Sequence, residues 1–222
     1  MREMILDTET TGLDPAEHRL VELACIELVN HLPTGRTFQR YLNPERAMTE
    51  DALRIHGLTD QFLADKPKFA EVADEFLEFV GDAGLVIHNA DFDMGFINAE
   101  LARLGRPPIE RARATDTVTL ARRKFPGQPA SLDALCQRFG IDNTHRNLHG
   151  ALLDAELLAE VYLELIGGRQ ATMTLVAAGS VRARAASAAR SVRPARPHAP
   201  LPEELASHEK LLAAIKDPLW LK

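Results

Sequence analysis

Short apolar runs alternate with polar turns and amphipathic stretches over the first 168 residues. Met4-Ile5-Leu6 is an apolar run of strand length, and Arg19 to Leu32 reads as a long strand with Val21, Leu23 and Cys25 on one face. Phe38 to Leu42 reads as a third strand. With Pro33-Thr34-Gly35 as the turn, the first three strands are expected to form an antiparallel meander. Thr49 to Ile55 is expected to be a short helix, with Thr49 as its N-cap and Gly57 beyond its end. Pro67 opens an amphipathic helix carrying Phe69, Val72, Phe76, Phe79 and Val80 on one face and stopped by Gly81. Leu85-Val86-Ile87 is a fourth strand, followed by a helix with Phe96, Ile97, Leu101 and Leu104 inward. Ala114-Thr115-Asp116 reads as a short fifth strand. Helices start near Val118 and at Ser131, and a last one runs from about Gly150 to Ile166. This order predicts an α/β fold: a mixed five-stranded sheet, part meander and part parallel, with helices on both sides.

Beyond Gly168 the pattern changes. Residues 177–202 are mostly Ala, Arg, Ser and Pro, the composition of a disordered linker. A helical stripe of Leu205, His208, Leu211, Leu212 and Ile215 then starts near Glu203, ended by Asp217-Pro218 and followed by Leu219-Trp220-Leu221. The expected organisation is a domain over 1–169, a short peptide over 170–176, a linker over 177–202 and a tail over 203–222.

Charge sharpens this division. The net charge is −6, but residues 1–170 carry 18 basic against 28 acidic side chains and residues 171–222 carry 8 against 4. The domain is therefore at −10 and the tail at +4. An acidic domain grips a polyanion only locally, through metal ions or a few basic side chains. Cys25 and Cys136 lie among apolar neighbours, which suits a reducing compartment rather than a disulfide framework. No signal-like or membrane-length apolar run occurs, so a cytoplasmic protein without a membrane partner is expected.

Asp7-Thr8-Glu9-Thr10-Thr11-Gly12 extends the first strand and holds the candidate chemistry. Alternation puts Asp7 and Glu9 on one face, with Leu6 and Thr8 on the other. Two neighbouring carboxylates on a core strand repel each other and resist burial, and a hard divalent cation such as Mg²⁺ or Mn²⁺ removes both costs. A strand that had merely reached the surface would need no ion, so downstream partners decide. Asp93 opens the helix after strand four, where Asp is also a common cap and where Asp91 competes with it. His149 and Asp154 flank the start of the last helix. On one regular helix they would be roughly 140° apart, so His149 is placed on the preceding loop and Asp154 one turn inside.

Asp7-x-Glu9-Thr-Thr-Gly, His88-Asn-x-x-Phe92-Asp93 and His149-x-Ala-x-x-Asp154 occur in that order. Together they resemble the three motifs of the DEDDh family of 3′→5′ exonucleases. Ser131-Leu-Asp-Ala-Leu-Cys and Leu148-His-Gly-Ala-Leu-Leu-Asp are similar to the branch formed by the proofreading (epsilon) subunits of bacterial DNA polymerase III. The resemblance implies a ribonuclease H-like fold and a bacterial enzyme that removes mismatched nucleotides from the primer 3′ end. It implies two divalent cations held by Asp7, Glu9, Asp93 and Asp154, with His149 as general base. It also implies substrate contacts from Asp7, Glu9, Thr10, Asp51, Ile55, His56 and Asp154. Asp51 stands where close relatives have Glu. Ile55 would be a wedge between the last two bases, although ordinary helix-end packing also accounts for Asp51, Ile55 and His56. The tail resembles a sliding-clamp motif at Gln170, Met173 and Leu175, and a segment for the polymerase catalytic (alpha) subunit containing Leu212, Ile215 and Trp220. A small theta-like accessory subunit is a further implied partner. The alternative within the family is a free-standing exoribonuclease or repair exonuclease, which would need no such tail.

Overall fold

The computed structural model describes residues 1–146, 148–168 and 200–214. The chain divides into two units, Met1–Thr172 and Met173–Lys222. In the first, β1 (Arg2–Thr10), β2 (Leu20–Val29) and β3 (Leu32–Tyr41) form the meander. Then follow α1 (Glu50–His56), α2 (Asp60–Leu63), α3 (Phe69–Val80), β4 (Gly84–Ile87), α4 (Ala90–Arg103), β5 (Ala114–Asp116), α5 (Thr117–Lys124), α6 (Leu132–Phe139) and α7 (Ala151–Leu165). The described part of the second unit contains one helix, α8 (Pro202–Ala214).

The strand order is β3-β2-β1-β4-β5, with β1 antiparallel to β2, and β4 parallel to both β1 and β5. This is the expected ribonuclease H-like mixed sheet. Alternation along the central strands feeds two separate cores. Met4, Leu6, Leu85 and Ile87 pack against Phe69, Val72 and Phe76 of α3 and Phe96, Ile97 and Leu101 of α4. Ile5 and Val86 face the other way, onto Leu135 of α6 and Leu157, Leu158 and Val161 of α7. Both faces being covered explains why these strands read as continuous apolar runs.

Two expectations are corrected. The β2–β3 turn is Asn30-His31, at φ 52° and 66°, not Pro33-Thr34-Gly35. Two successive residues at positive φ give a tight connection whose twist matches the strands, and Asn accepts that conformation readily. Pro33 instead lies within β3, where an edge strand tolerates its missing N–H, and a register shift between Ile26 and Leu28 absorbs the irregularity. Leu104 is the C-cap of α4 and is 37% exposed rather than inward. The chain leaves the helix there, and Gly105 follows at φ 67°.

One feature of the register positions the site. The β1–β4 pairing ends at Leu6 opposite Ile87, while β1 continues to Thr10. Asp7 and Glu9 therefore project past the C-terminal end of a parallel strand, where open α/β sheets form their clefts.

Candidate active site

Asp7 and Glu9 lie on the overhanging part of β1. Burial raises the Asp7 carboxyl well above the ordinary aspartate value, and the charges of Asp93, Glu9, Asp154 and Glu22 push it further. Glu9 is pushed up to about 8, first by burial and then by Asp154, Glu22 and Asp93, against a pull from Arg146. Thr8 points to the opposite face and donates to Asp93 Oδ1 at 2.7 Å. Asp93 sits in the first turn of α4 and is 3% exposed, and burial lifts its carboxyl to about 7 against the lowering effect of the Thr8 bond. Asp91, by contrast, is exposed and paired with Arg111 at 2.5 Å. Packing thus places Asp93, and not Asp91, against the strand that carries Asp7 and Glu9.

The third contribution comes from α7. Asp154 is 4% exposed and lies in the helix's first turn. Glu22 of β2 accepts from the N–H of Ala151 at 3.1 Å and from the Gln39 amide at 2.7 Å, fixing the start of α7 against the sheet. His149 precedes the helix on a loop, as expected. Its N–H donates to the carbonyl of Ile55 at 3.0 Å, tying that loop to α1. His149 Nδ1 lies 3.2 Å from Asp154 Oδ2. Arg146, on the same loop, forks onto Asp154 at 2.5 and 2.6 Å and reaches His149 Nδ1 at 2.8 Å.

The donor set fits a hard divalent cation. Glu9, His149 and Asp154 each offer a ligand atom, and these atoms lie within 4.8 Å of one another. Asp93 adds negative charge that raises Asp7 and Glu9, and a bound cation would lower them again.

The wall of the cleft is α1. Thr49 caps it by accepting from Ala52 N at 3.3 Å and donating to the Thr11 carbonyl at 2.9 Å. Ile55 is 46% exposed, and Asp51 is exposed and paired with Arg54. His56 is buried. Its Nδ1 accepts from the Leu58 N–H at 3.0 Å, so its other nitrogen carries the hydrogen that faces the Thr10 carbonyl at 3.3 Å. Both nitrogens are thus engaged by backbone. Asp7, Glu9, Thr10, Asp51, Ile55, His56, Asp93, His149 and Asp154 all line one cleft of about 760 Å³, with Leu13, His18 and Phe92 at its apolar and polar margins. Thr8, Glu22, Asp133 and Arg146 were not singled out by sequence reasoning. Thr8 and Asp133 stand inside motifs already quoted, and Arg146 lies three residues before His149. In α8, Leu212 is partly buried, while Gln170, Met173, Leu175, Ile215 and Trp220 lie outside the described residues.

A family model described as Exonuclease matches residues 4–162. The chain belongs to the exonuclease family. Within it, the chain is 50% identical to the DNA polymerase III subunit epsilon of Rickettsia felis, covering 97% of both proteins. It is 44% identical to the protein of the same name from Escherichia coli K12, covering 97% of this chain and 93% of that one. Among solved structures, Exonuclease X in complex with 5′ overhanging duplex DNA superposes with a TM-score of 0.59 at 27% identity, covering 74% of this chain and 90% of that one. The nuclease domain of 3′hExo, a DEDDh family member bound to rAMP, shares the fold at a TM-score of 0.61 and 20% identity, covering 74% and 91%.

Proposed function

We propose that this exonuclease is the proofreading subunit of a bacterial replicative DNA polymerase, removing mismatched nucleotides from the primer 3′ end. The observation that carries the reading is the convergence of Glu9 at the end of β1 with His149 and Asp154 from the loop and first turn of α7. Asp7, Glu9, Asp93 and Asp154 would hold a pair of divalent cations, Mg²⁺ or Mn²⁺, which when bound polarise the scissile phosphodiester and offset its charge. His149 would take the proton of the attacking water. The water oxygen bonds to phosphorus as the bond to the 3′ oxygen breaks, giving a nucleoside 5′-monophosphate and a shortened strand with a 3′ hydroxyl. Ile55, exposed on α1, would separate the last two bases. His56 supports this wall by joining α1 to the backbone of Thr10.

The proposed partners follow from the relatives' name and from the tail. Residues 203–222 would bind the polymerase catalytic subunit through Leu212, Ile215 and Trp220. Gln170, Met173 and Leu175 would engage the sliding clamp, and a small accessory subunit would complete the assembly in the cytoplasm. Among the described residues no helix is long and apolar enough to cross a membrane. The test is degradation of matched and mismatched primer ends by the purified full chain, with and without Mg²⁺. Mg²⁺-dependent release of 5′-monophosphates, faster from the mismatched end, is expected. Equal rates on both DNA ends together with faster RNA degradation would overturn the proofreading assignment.

A further inference from the structure

Arg146 is the one cation that the structure places inside the acidic cluster among the described residues, and the chemistry derived above gives it no task. Its side chain is 7% exposed, although it lies on a surface loop. Four of its five guanidinium hydrogens have partners. Nε donates to Asp154 Oδ1 at 2.5 Å and Nη1 to Asp133 Oδ1 at 2.7 Å. One Nη2 hydrogen goes to Asp154 Oδ2 at 2.6 Å, and the other points to His149 Nδ1 at 2.8 Å. A guanidinium has donors and no acceptor. His149 Nδ1 must therefore present its lone pair to Arg146, and a neutral ring then carries its hydrogen on Nε2. In that state Nδ1 has no hydrogen for Asp154 Oδ2, so their 3.2 Å approach is not a hydrogen bond. Neither nitrogen of the ring is free to take a proton from water.

We infer that Arg146 is a positioning residue that serves as the site's internal counter-cation and sets the tautomer of His149 until a divalent cation replaces it. The inference rests on the divalent-cation reading of the site. A cation held by Asp154 would compete with the guanidinium for that carboxylate. Once Arg146 withdraws, Nδ1–H can donate to Asp154 Oδ2, which leaves the lone pair on Nε2 at the opposite side of the ring. The same displacement that admits the cation would thus make His149 able to act as a base. The bidentate fork matters here, because a lysine would offer a point charge without the geometry that engages both Asp154 oxygens and the imidazole.

The test uses the full chain with ¹⁵N-labelled histidine at a pH where His149 is neutral, its ring signals assigned by their loss in His149→Gln. Two-bond ¹⁵N–¹H spectra report which ring nitrogen bears the hydrogen. The expected result is hydrogen on Nε2 in chelator and on Nδ1 in saturating Mg²⁺. Arg146→Leu in chelator should already show it on Nδ1. Calorimetry should show Mn²⁺ binding to Arg146→Leu about tenfold or more tighter than to the unaltered chain, the scale set by losing one competing charged hydrogen-bond pair. A His149 tautomer that does not change on Mg²⁺ binding overturns the inference, as does unchanged or weaker Mn²⁺ affinity in Arg146→Leu. The Mg²⁺ comparison on the unaltered chain stands even where the variant fails to fold. Absence of Mg²⁺ and Mn²⁺ binding in every form overturns the metal reading itself, and the inference with it.

Discussion

Asp7 and Glu9 share one short overhang with Asp154 and Asp93 close by, so each ionised carboxylate raises the cost of ionising the next. Asp7→Ala should abolish hydrolysis while the chelator-treated protein melts at or above the temperature of the unaltered chain, because the mutation removes repulsion as well as a ligand. Unfolding of that variant in calorimetry would show instead that Asp7 is structural. The same crowding sets a pH dependence. Glu9 is raised from 4.5 to about 8 and Asp93 from 3.8 to about 7, so the folded state binds protons that the unfolded state has released. Stability in chelator should therefore be highest below about pH 4 as far as these groups are concerned, and fall as pH rises from there to about 8. Saturating Mg²⁺ should flatten the fall, and urea melts across that window with and without the ion measure it. His149→Ala should slow the chemical step by roughly 10²–10⁴-fold, the scale of general base catalysis, while Mn²⁺ still binds. An unaltered single-turnover rate would remove His149 from the mechanism.

The elements bring these residues together through their ends. α1 stops at Gly57, which has φ 72°, and a Cβ there would lie 2.7 Å from Leu148 Cδ1 on the His149 loop. The same helix end accepts the His149 N–H through the Ile55 carbonyl. Gly57→Ala should thus strain the backbone and displace the Leu148 side chain at once. The expected cost is about 1–2 kcal/mol for an L-residue held in the left-handed region, read from urea melts. The single-turnover rate should fall with it, since strain at the end of α1 reaches His149 through the Ile55 carbonyl that holds its N–H. A stability loss with no rate change would mean that α1 does not position the base. On the other side of the cleft, Glu22 anchors the start of α7 from a neighbouring strand, and its charge also raises Asp7 and Glu9.

At the scale of the whole molecule, catalysis and attachment are assigned to different parts of the chain. The 13-residue helix α8 is of a length that is marginal in water by itself. Leu205 and Leu211 are 49% and 59% exposed on it. Exposed leucines on a short helix, followed in sequence by Leu219-Trp220-Leu221, suit a partner-binding segment, because aromatic anchors dominate interface energetics. Deleting residues 203–222 should leave hydrolysis of short single-stranded DNA nearly unchanged and abolish co-elution with the polymerase catalytic subunit. Gln170→Ala with Met173→Ala should separately weaken clamp binding. Co-elution of the truncated chain with the polymerase, or its aggregation alone, would show that the tail does other work.

Sequence by itself determined what local chemistry enforces. Alternation and helical periodicity gave five strands and most of the helices around them, although the strand read from Arg19 to Leu32 runs through the turn at Asn30-His31 and α2 carried no signal. Thr49, Ser131 and Gly57 marked helix ends through the backbone groups they satisfy or the φ they allow. Motif order named Asp7, Glu9, Asp93, His149 and Asp154 as candidates. The tertiary structure decided what identical residue types do in different surroundings. Asp91 and Asp93 are two residues apart, yet one pairs with Arg111 in solvent and the other is buried against Thr8, 85 residues away in sequence. Glu22 meets the start of α7 across 129 residues. Asn30-His31 rather than Pro33–Gly35 makes the hairpin because strand register, set by two packed faces, outweighs turn propensity. The side chain of Arg146, on a surface loop, is buried because the carboxylates of Asp133 and Asp154 meet it there. Such facts depend on contacts between segments distant in sequence, and no local pattern records them.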